Sequence, residues 1–424
     1  MLVKTVKYKN GLTLVLKNCR NNLISAIAVF IKVGSINETT FQSGLSHFLE
    51  HLMFKGSNNY LGNSMSRNVE NMGGCINAVT TKGYTMYYIS AQKNKIEKCI
   101  EMLADTIQNP LFSQDEIDKE KKVVIEEIKR YLDNPESMLY EKFYNTIYTK
   151  STLKNSVIGK SQIIANISRK ELYNYYKTYY VPGNIIVVAV GNFNEIKVKK
   201  LVGETFGKFY EQSLPIEPLI VENIHNGEDI IEYGNVEIGY MLSGFLGPNL
   251  SETDMYIADI AVNILGEGRT SKLYKFLYEK KHLVFSIDAF FMIERGTGNV
   301  CIMSLFDPKN IEEVKNEIKN QIQGIIENGV TQKELNRAKL SIKMNLSLSF
   351  ETSIDIAERL GYWYLMGNPS FVTKYVQKLE KITIEDIIHF FKKYYSSKLI
   401  SNIALLPKLD IYNNEIYSEK KNDK

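Results

Sequence analysis

The sequence predicts an α+β protein built as two homologous halves, and three observations carry that prediction. At 424 residues the chain is longer than one hydrophobic core serves. Along it, short β-branched or alternating runs, which read as strands, are interleaved with runs of helical period. The chain also echoes itself. Residues 167–180, ISRKELYNYYKTYY, return as 382–395, ITIEDIIHFFKKYY, 215 positions on (382 − 167), and each copy is followed by a β run. Residues 112–117, FSQDEI, return as 330–335, VTQKEL, 218 positions on (330 − 112). Chance likeness of helix caps could produce either echo alone, but hardly both at nearly the same offset. The halves are therefore expected at 1–210 and 228–424, with a linker at about 211–227, where Pro215 and Pro218 break periodicity.

Taken in order, the chain begins with a hairpin turning at Lys9-Asn10-Gly11, between Thr5–Tyr8 and Gly11–Leu16. Residues 23–33 are β-branched, end at Gly34 and read as a buried strand. A short helix over the motif at 47–51 follows, then a second helix. Gly73-Gly74 next turn the chain into an alternating strand at 75–81 that looks like an exposed edge, and 84–91 form its neighbour. Residues 95–108 read as an amphipathic helix. Another spans 113–131, with Ser113 as N-cap and Glu116 at the capping-box position.

Composition narrows the function classes. Hydrophobic content of 44% and charged content of 24% are those of a soluble globular protein. A net charge of +4, with no basic block standing apart from matching acids, gives no nucleic-acid or membrane surface. The tail at 418–424 reads as a solvated, frayed end. Cys19, Cys75, Cys99 and Cys301 show no CxxC and no framework spacing, so a reducing compartment is expected. No signal peptide or membrane span is visible, and the cytoplasm is the default.

The chemistry is concentrated in His47-Phe48-Leu49-Glu50-His51. On a helix, positions 47, 50 and 51 share a face, so two imidazoles and a carboxylate converge. The i/i+4 histidines can bind one metal ion, and a carboxylate beside the second can reach a water at that ion. The order His-x-x-Glu-His is the inverted zincin arrangement. The competing reading is a helix carrying two ordinary histidines, and with only five His in the chain that pairing is an unusual accident. A catalytic zinc site needs a third protein ligand. In the helix at 113–131, Glu120 and Glu127 are two turns apart on a face they share with Val123 and Val124, and carboxylates on an apolar stripe are costly unless paired or metal-bound. Glu127 is the expected ligand and Glu120 the acceptor that orients an imidazole N–H, while Glu126 points elsewhere. The alternative is that all three sit on an ordinary exposed helix.

These residues carry a resemblance. Gly44 to Gly56 around the HxxEH motif, Gly73-Gly74 with Asn77-Ala78 and Thr80, and Glu120 with Glu127 placed 76 residues beyond His51 together resemble the inverted-zincin M16 peptidases, which include mitochondrial processing peptidase and insulin-degrading enzyme. The resemblance runs through nearly the whole chain. It implies Zn²⁺ bound by His47, His51 and Glu127, Glu50 as general base, and Asn77-Ala78 on an edge strand to which a peptide substrate adds as a β-strand. It implies two similar α/β-sandwich halves, and two chains or a fused pair closing like a clamshell around a chamber. One departure stands out. The family often carries an Arg and, seven residues on, a Tyr that bind substrate, whereas here these positions are Tyr278 and Phe285. Some members divide the work, one chain holding the zinc motif and a partner the Arg/Tyr pair, so a homodimer and a heterodimer are both open. The leading expectation is a zinc endopeptidase for unfolded peptides. A processing peptidase for one leader or targeting segment comes second, and a non-catalytic structural subunit is disfavoured by the intact Glu50 and both histidines.

Overall fold

The computed structural model describes residues 3–209, 213–216, 227–249, 253–367, 369 and 371–408. Most of the expected linker at 211–227, and the tail at 418–424, lie outside the described residues.

The first part of the chain forms β1 (Lys4–Lys7), β2 (Thr13–Asn18), β3 (Ile24–Ile31), α1 (Leu45–Met53), α2 (Ser64–Asn71), β4 (Cys75–Thr80), β5 (Thr85–Gln92), α3 (Ile96–Gln108), α4 (Gln114–Leu132), α5 (Pro135–Ile147), α6 (Ser161–Asn166), α7 (Arg169–Tyr179), β6 (Ile185–Gly191) and α8 (Glu195–Thr205). The second part forms β7 (Asp229–Gly234), β8 (Gly239–Gly247), α9 (Asp254–Leu265), β9 (Val284–Glu294), β10 (Thr297–Phe306), α10 (Ile311–Asn328), α11 (Gln332–Leu348), α12 (Ser353–Leu365), α13 (Phe371–Lys381), α14 (Ile384–Tyr394) and β11 (Ser401–Pro407). The hairpin, the buried strand, both helices around the motif and the two strands after Gly74 all form where the sequence puts them.

The elements make two sheets. One has six strands in the order β1-β2-β6-β3-β5-β4, with β2 and β6 parallel. The other has five in the order β7-β11-β8-β10-β9, with β7 and β11 parallel. The echoed segments become equivalent elements. Ser168 and Glu171 close a capping box on α7, ahead of β6, just as Thr383 and Asp386 do on α14, ahead of β11. The other echo opens α4 and α11.

The chain divides into two compact units, one of residues 1–129, 155–219 and 345–374, the other of 130–154, 220–344 and 375–424. Each therefore contains a helix from the opposite part of the sequence. In the first, α12 covers β3 and β6, burying Ile356, Ala357 and Leu360 against Phe30, Val188 and Val190. Gly361 makes that approach possible, since a Cβ there would collide with the Phe30 ring. In the second, α5 lies on β8 and β11, and Gly244 leaves room for Phe143. Edge strand β4 and helix α1 sit together in the first unit. Among the described residues no helix is long and apolar enough to cross a membrane.

Candidate metal centre

Helix α1 is amphipathic. Leu45, Phe48, Leu49, Leu52 and Met53 are buried, which turns His47, Glu50 and His51 to the opposite side. Its start is held by Glu38, whose buried carboxylate accepts the Gly44 N–H at 2.7 Å and the Ser46 N–H at 2.8 Å. These are amides that a helix leaves without internal partners, and a carboxylate also suits the positive end of the dipole. Gly44 has φ +92°, and Gly159 packs so closely that a Cβ would meet its Cα at 2.8 Å, so glycine is required there.

The imidazoles of His47 and His51 lie with ring centroids 4.7 Å apart. Helix α4 brings Glu127 to both: one carboxylate oxygen is 3.9 Å from His47 Nε2 and the other 3.4 Å from His51 Nε2. The three side chains offer ligand atoms that all lie within 4.8 Å of one another, a cluster that can hold a metal ion. Glu120, one of the buried residues of α4, sits behind it, with Oε2 3.2 Å from His51 Nδ1 and Oε1 2.7 Å from Lys55 Nζ. A carboxylate can only accept, so in the neutral ring the His51 proton belongs on Nδ1, and Nε2, which faces Glu127, is the nitrogen available to a metal. Glu126 is exposed and pairs with Lys129.

Val123 departs from the expected stripe, being 47% exposed. The buried positions of α4 are Ile117, Glu120, Val124 and Ile128. At about 100° per residue, position 123 lies roughly 100° from the centre of that stripe and 127 about 65°, so Glu127 stands at its margin, half exposed beside the histidines.

Glu50 accepts a hydrogen bond from Thr80 Oγ1 at 2.6 Å, across from the end of β4. On the same strand the Ala78 N–H donates to the Asn77 side-chain oxygen at 2.9 Å. The electrostatics follow from burial and charge. Burial, and secondarily His51, pushes His47 down to about 4, which keeps it neutral. Burial would lower His51 too, but the bond to Glu120 and the nearby carboxylates of Glu127 and Glu50 outweigh it and raise it. Burial raises Glu50 against the opposing hydrogen bond from Thr80. Glu120 ends below the ordinary carboxylate range, since its bonds to His51 and Lys55 overcome the cost of burial.

Tyr278 and Phe285 belong to the second unit. Tyr278 stacks on Tyr274 at 4.6 Å within a π-helical stretch, Tyr274–Lys280, and Phe285 is 57% exposed on β9, an edge strand. The sequence reading did not assign roles to Lys55 and Thr80, although both stand in its motifs. Glu38 it missed altogether, because a lone carboxylate before a glycine-led helix carries no pattern.

An HxxEH helix facing a glutamate on a second helix defines an inverted zincin-type centre. Two family models cover most of the chain: insulinase (peptidase family M16) matches residues 13–161 and the peptidase M16 inactive domain matches 166–342. The chain belongs to the M16 peptidase family. Among curated relatives, an uncharacterized zinc protease, YmxG, of Bacillus subtilis is 27% identical over 96% of this chain and 100% of its own. The zinc protease PqqE of Helicobacter pylori is 28% identical over 95% of this chain and 93% of its own. A crystal structure of a protease from Helicobacter pylori superposes with a TM-score of 0.91 at 27% identity, covering 96% of this chain and 99% of that one. A peptidase M16 inactive domain from Pseudomonas fluorescens, at 15% identity and TM-score 0.89 over 96% and 98% of the two chains, shares the fold.

Proposed function

We propose that this chain is a zinc-dependent endopeptidase that hydrolyses unfolded peptides or short polypeptides, working inside a chamber that two M16 chains enclose. The observation that carries the reading is the convergence of His47, His51 and Glu127, with Glu50 one helical position before His51. Two neutral imidazole nitrogens and one carboxylate oxygen are a donor set that fits zinc, and the low pKa of His47 favours the ligating form. Bound there, zinc supplies Lewis acidity that polarises a peptide carbonyl and makes water easier to deprotonate. Glu50 takes the proton from the attacking water and hands it to the leaving amine, and burial, which raises its pKa, makes it a better proton acceptor than an exposed carboxylate. Thr80 holds one Glu50 oxygen and leaves the other for the water. Edge strand β4 receives the substrate as an added strand, with Asn77 and Ala78 providing main-chain contacts, a mode that gives affinity with little side-chain selectivity.

The reading places the catalytic half at 1–210 and a homologous half without zinc ligands at 228–424. A reducing, cytoplasmic setting belongs to it, supported by four cysteines that are free thiols. One observation favours a second reading, a processing peptidase that works with a homologous Arg/Tyr-bearing chain. Neither Tyr278 nor Phe285 offers a guanidinium, and Phe285 lacks the hydroxyl, that could bond a substrate carbonyl. One such donor is worth about 10²- to 10³-fold in rate. The test is turnover of an unstructured peptide by the purified chain, before and after chelation and zinc replacement. Zinc-restored hydrolysis by the single chain supports the first reading. Hydrolysis only after a homologous Arg/Tyr-bearing chain is added supports the second, and no hydrolysis in either case contradicts both.

A further inference from the structure

We infer that Lys55 is a positioning residue for the metal centre, acting through Glu120 on His51. The inference rests on the assignment of His51 as a metal ligand. Lys55 lies two residues past the end of α1, after the C-cap Phe54, and its N–H still bonds the Leu52 carbonyl. From there its ammonium reaches Glu120 Oε1 at 2.7 Å, while Glu120 Oε2 bonds His51 Nδ1 at 3.2 Å. The Glu120 side chain is only 7% exposed, so water has little access to hold either oxygen. With both oxygens engaged, the carboxylate is fixed in one plane, and that plane sets the orientation of the His51 ring.

Removing the cation frees Oε1 and lets the carboxylate rotate away from His51 Nδ1, or turn both oxygens toward other donors. The ring then loses the acceptor that fixes its Nδ1–H tautomer, the form that presents Nε2 beside Glu127. Among the described residues the ion pair of Lys55 is to Glu120 and not to any of the three proposed ligands, so its charge acts on the metal centre through Glu120. Losing the acceptor of a ligating histidine costs roughly 10- to 100-fold in metal affinity, and a residue one contact further out should cost about tenfold.

The experiment is a chelator-competition titration with Zn²⁺ on the full chain, needing no substrate. Lys55→Met and Lys55→Gln are both made, so that a readout remains if either fails to fold, with Glu120→Gln and His51→Ala alongside. The expected result is about tenfold weaker zinc binding in both Lys55 variants and a larger loss in Glu120→Gln. Lys55→Arg should recover most of the affinity, while Lys55→Met and Lys55→Gln, which leave a buried Glu120 oxygen without its cation, should also lower the metal-free melting temperature, so the zinc affinity of the folded protein is the deciding readout. Zinc affinity within twofold of the unsubstituted chain in both Lys55 variants, with His51→Ala still defective, overturns the role of Lys55 alone. Unchanged affinity in His51→Ala overturns the ligand assignment beneath it.

Discussion

Glu38 shows how one residue ties the site to the stability of the fold. It is buried, accepts two amides at the start of α1, and burial lifts its pKa from 4.5 to about 7 despite those bonds. In that window the folded state holds a proton that the unfolded state has released. The Glu38 contribution to stability is thus fully present below about 4.5 and is lost as pH rises through about 7. Glu38→Gln should remove that slope. It should also destabilise the protein by about 1–3 kcal/mol, because its amide can accept only one of the two N–H groups. Urea unfolding at several pH values between about 5 and 8 measures both effects, and an unchanged slope in the variant would assign the titration elsewhere. Legibility differed sharply among such residues. His47, Glu50 and His51 could be read because helical spacing alone fixes their convergence, and Glu127 because a carboxylate near an apolar stripe needs a reason. Glu38, Lys55 and Thr80 act through contacts between distant segments, which no local period encodes.

At the scale of elements, the proposed mode of substrate binding rests on β4. It lies at the edge of the six-stranded sheet, paired on one side to β5 from Cys75↔Ser90 to Thr80↔Thr85. The Ala78 N–H, held by its neighbour's side chain, is a donor that an incoming strand can take over. Ala78→Pro removes that N–H at an edge, where proline is tolerated, so the fold and zinc content should persist. KM for an unstructured peptide should rise roughly two- to tenfold, matching about 0.5–1.5 kcal/mol for one hydrogen bond, with a smaller change in kcat. An unaltered KM would move the substrate off this strand. The strand itself was legible because two glycines and an alternating run announce an edge. The packing of α12 on β3 and β6 was not, since a helix's apolar face does not say which sheet it meets.

For the whole molecule, that packing matters more than the linker. A fragment of residues 1–210 contains the metal centre but lacks α12, and so exposes the face of β3 and β6 that Ile356, Ala357 and Leu360 cover. Such a fragment should show no cooperative thermal transition, and a sharp melt by circular dichroism would show that the first sheet stands without α12. The repeat in the sequence is real at the level of elements, while each compact unit draws on both parts of the chain. The central claim, that this M16 fold is a zinc peptidase with Glu50 as its base, is tested most directly by Glu50→Gln, assayed for zinc content and for turnover of an unstructured peptide on the same preparation. The prediction is about one zinc per chain, as in the unsubstituted protein, with hydrolysis reduced at least about a hundredfold. Turnover within about tenfold of the unsubstituted chain, against the roughly hundredfold or greater loss expected of a missing general base, would contradict it.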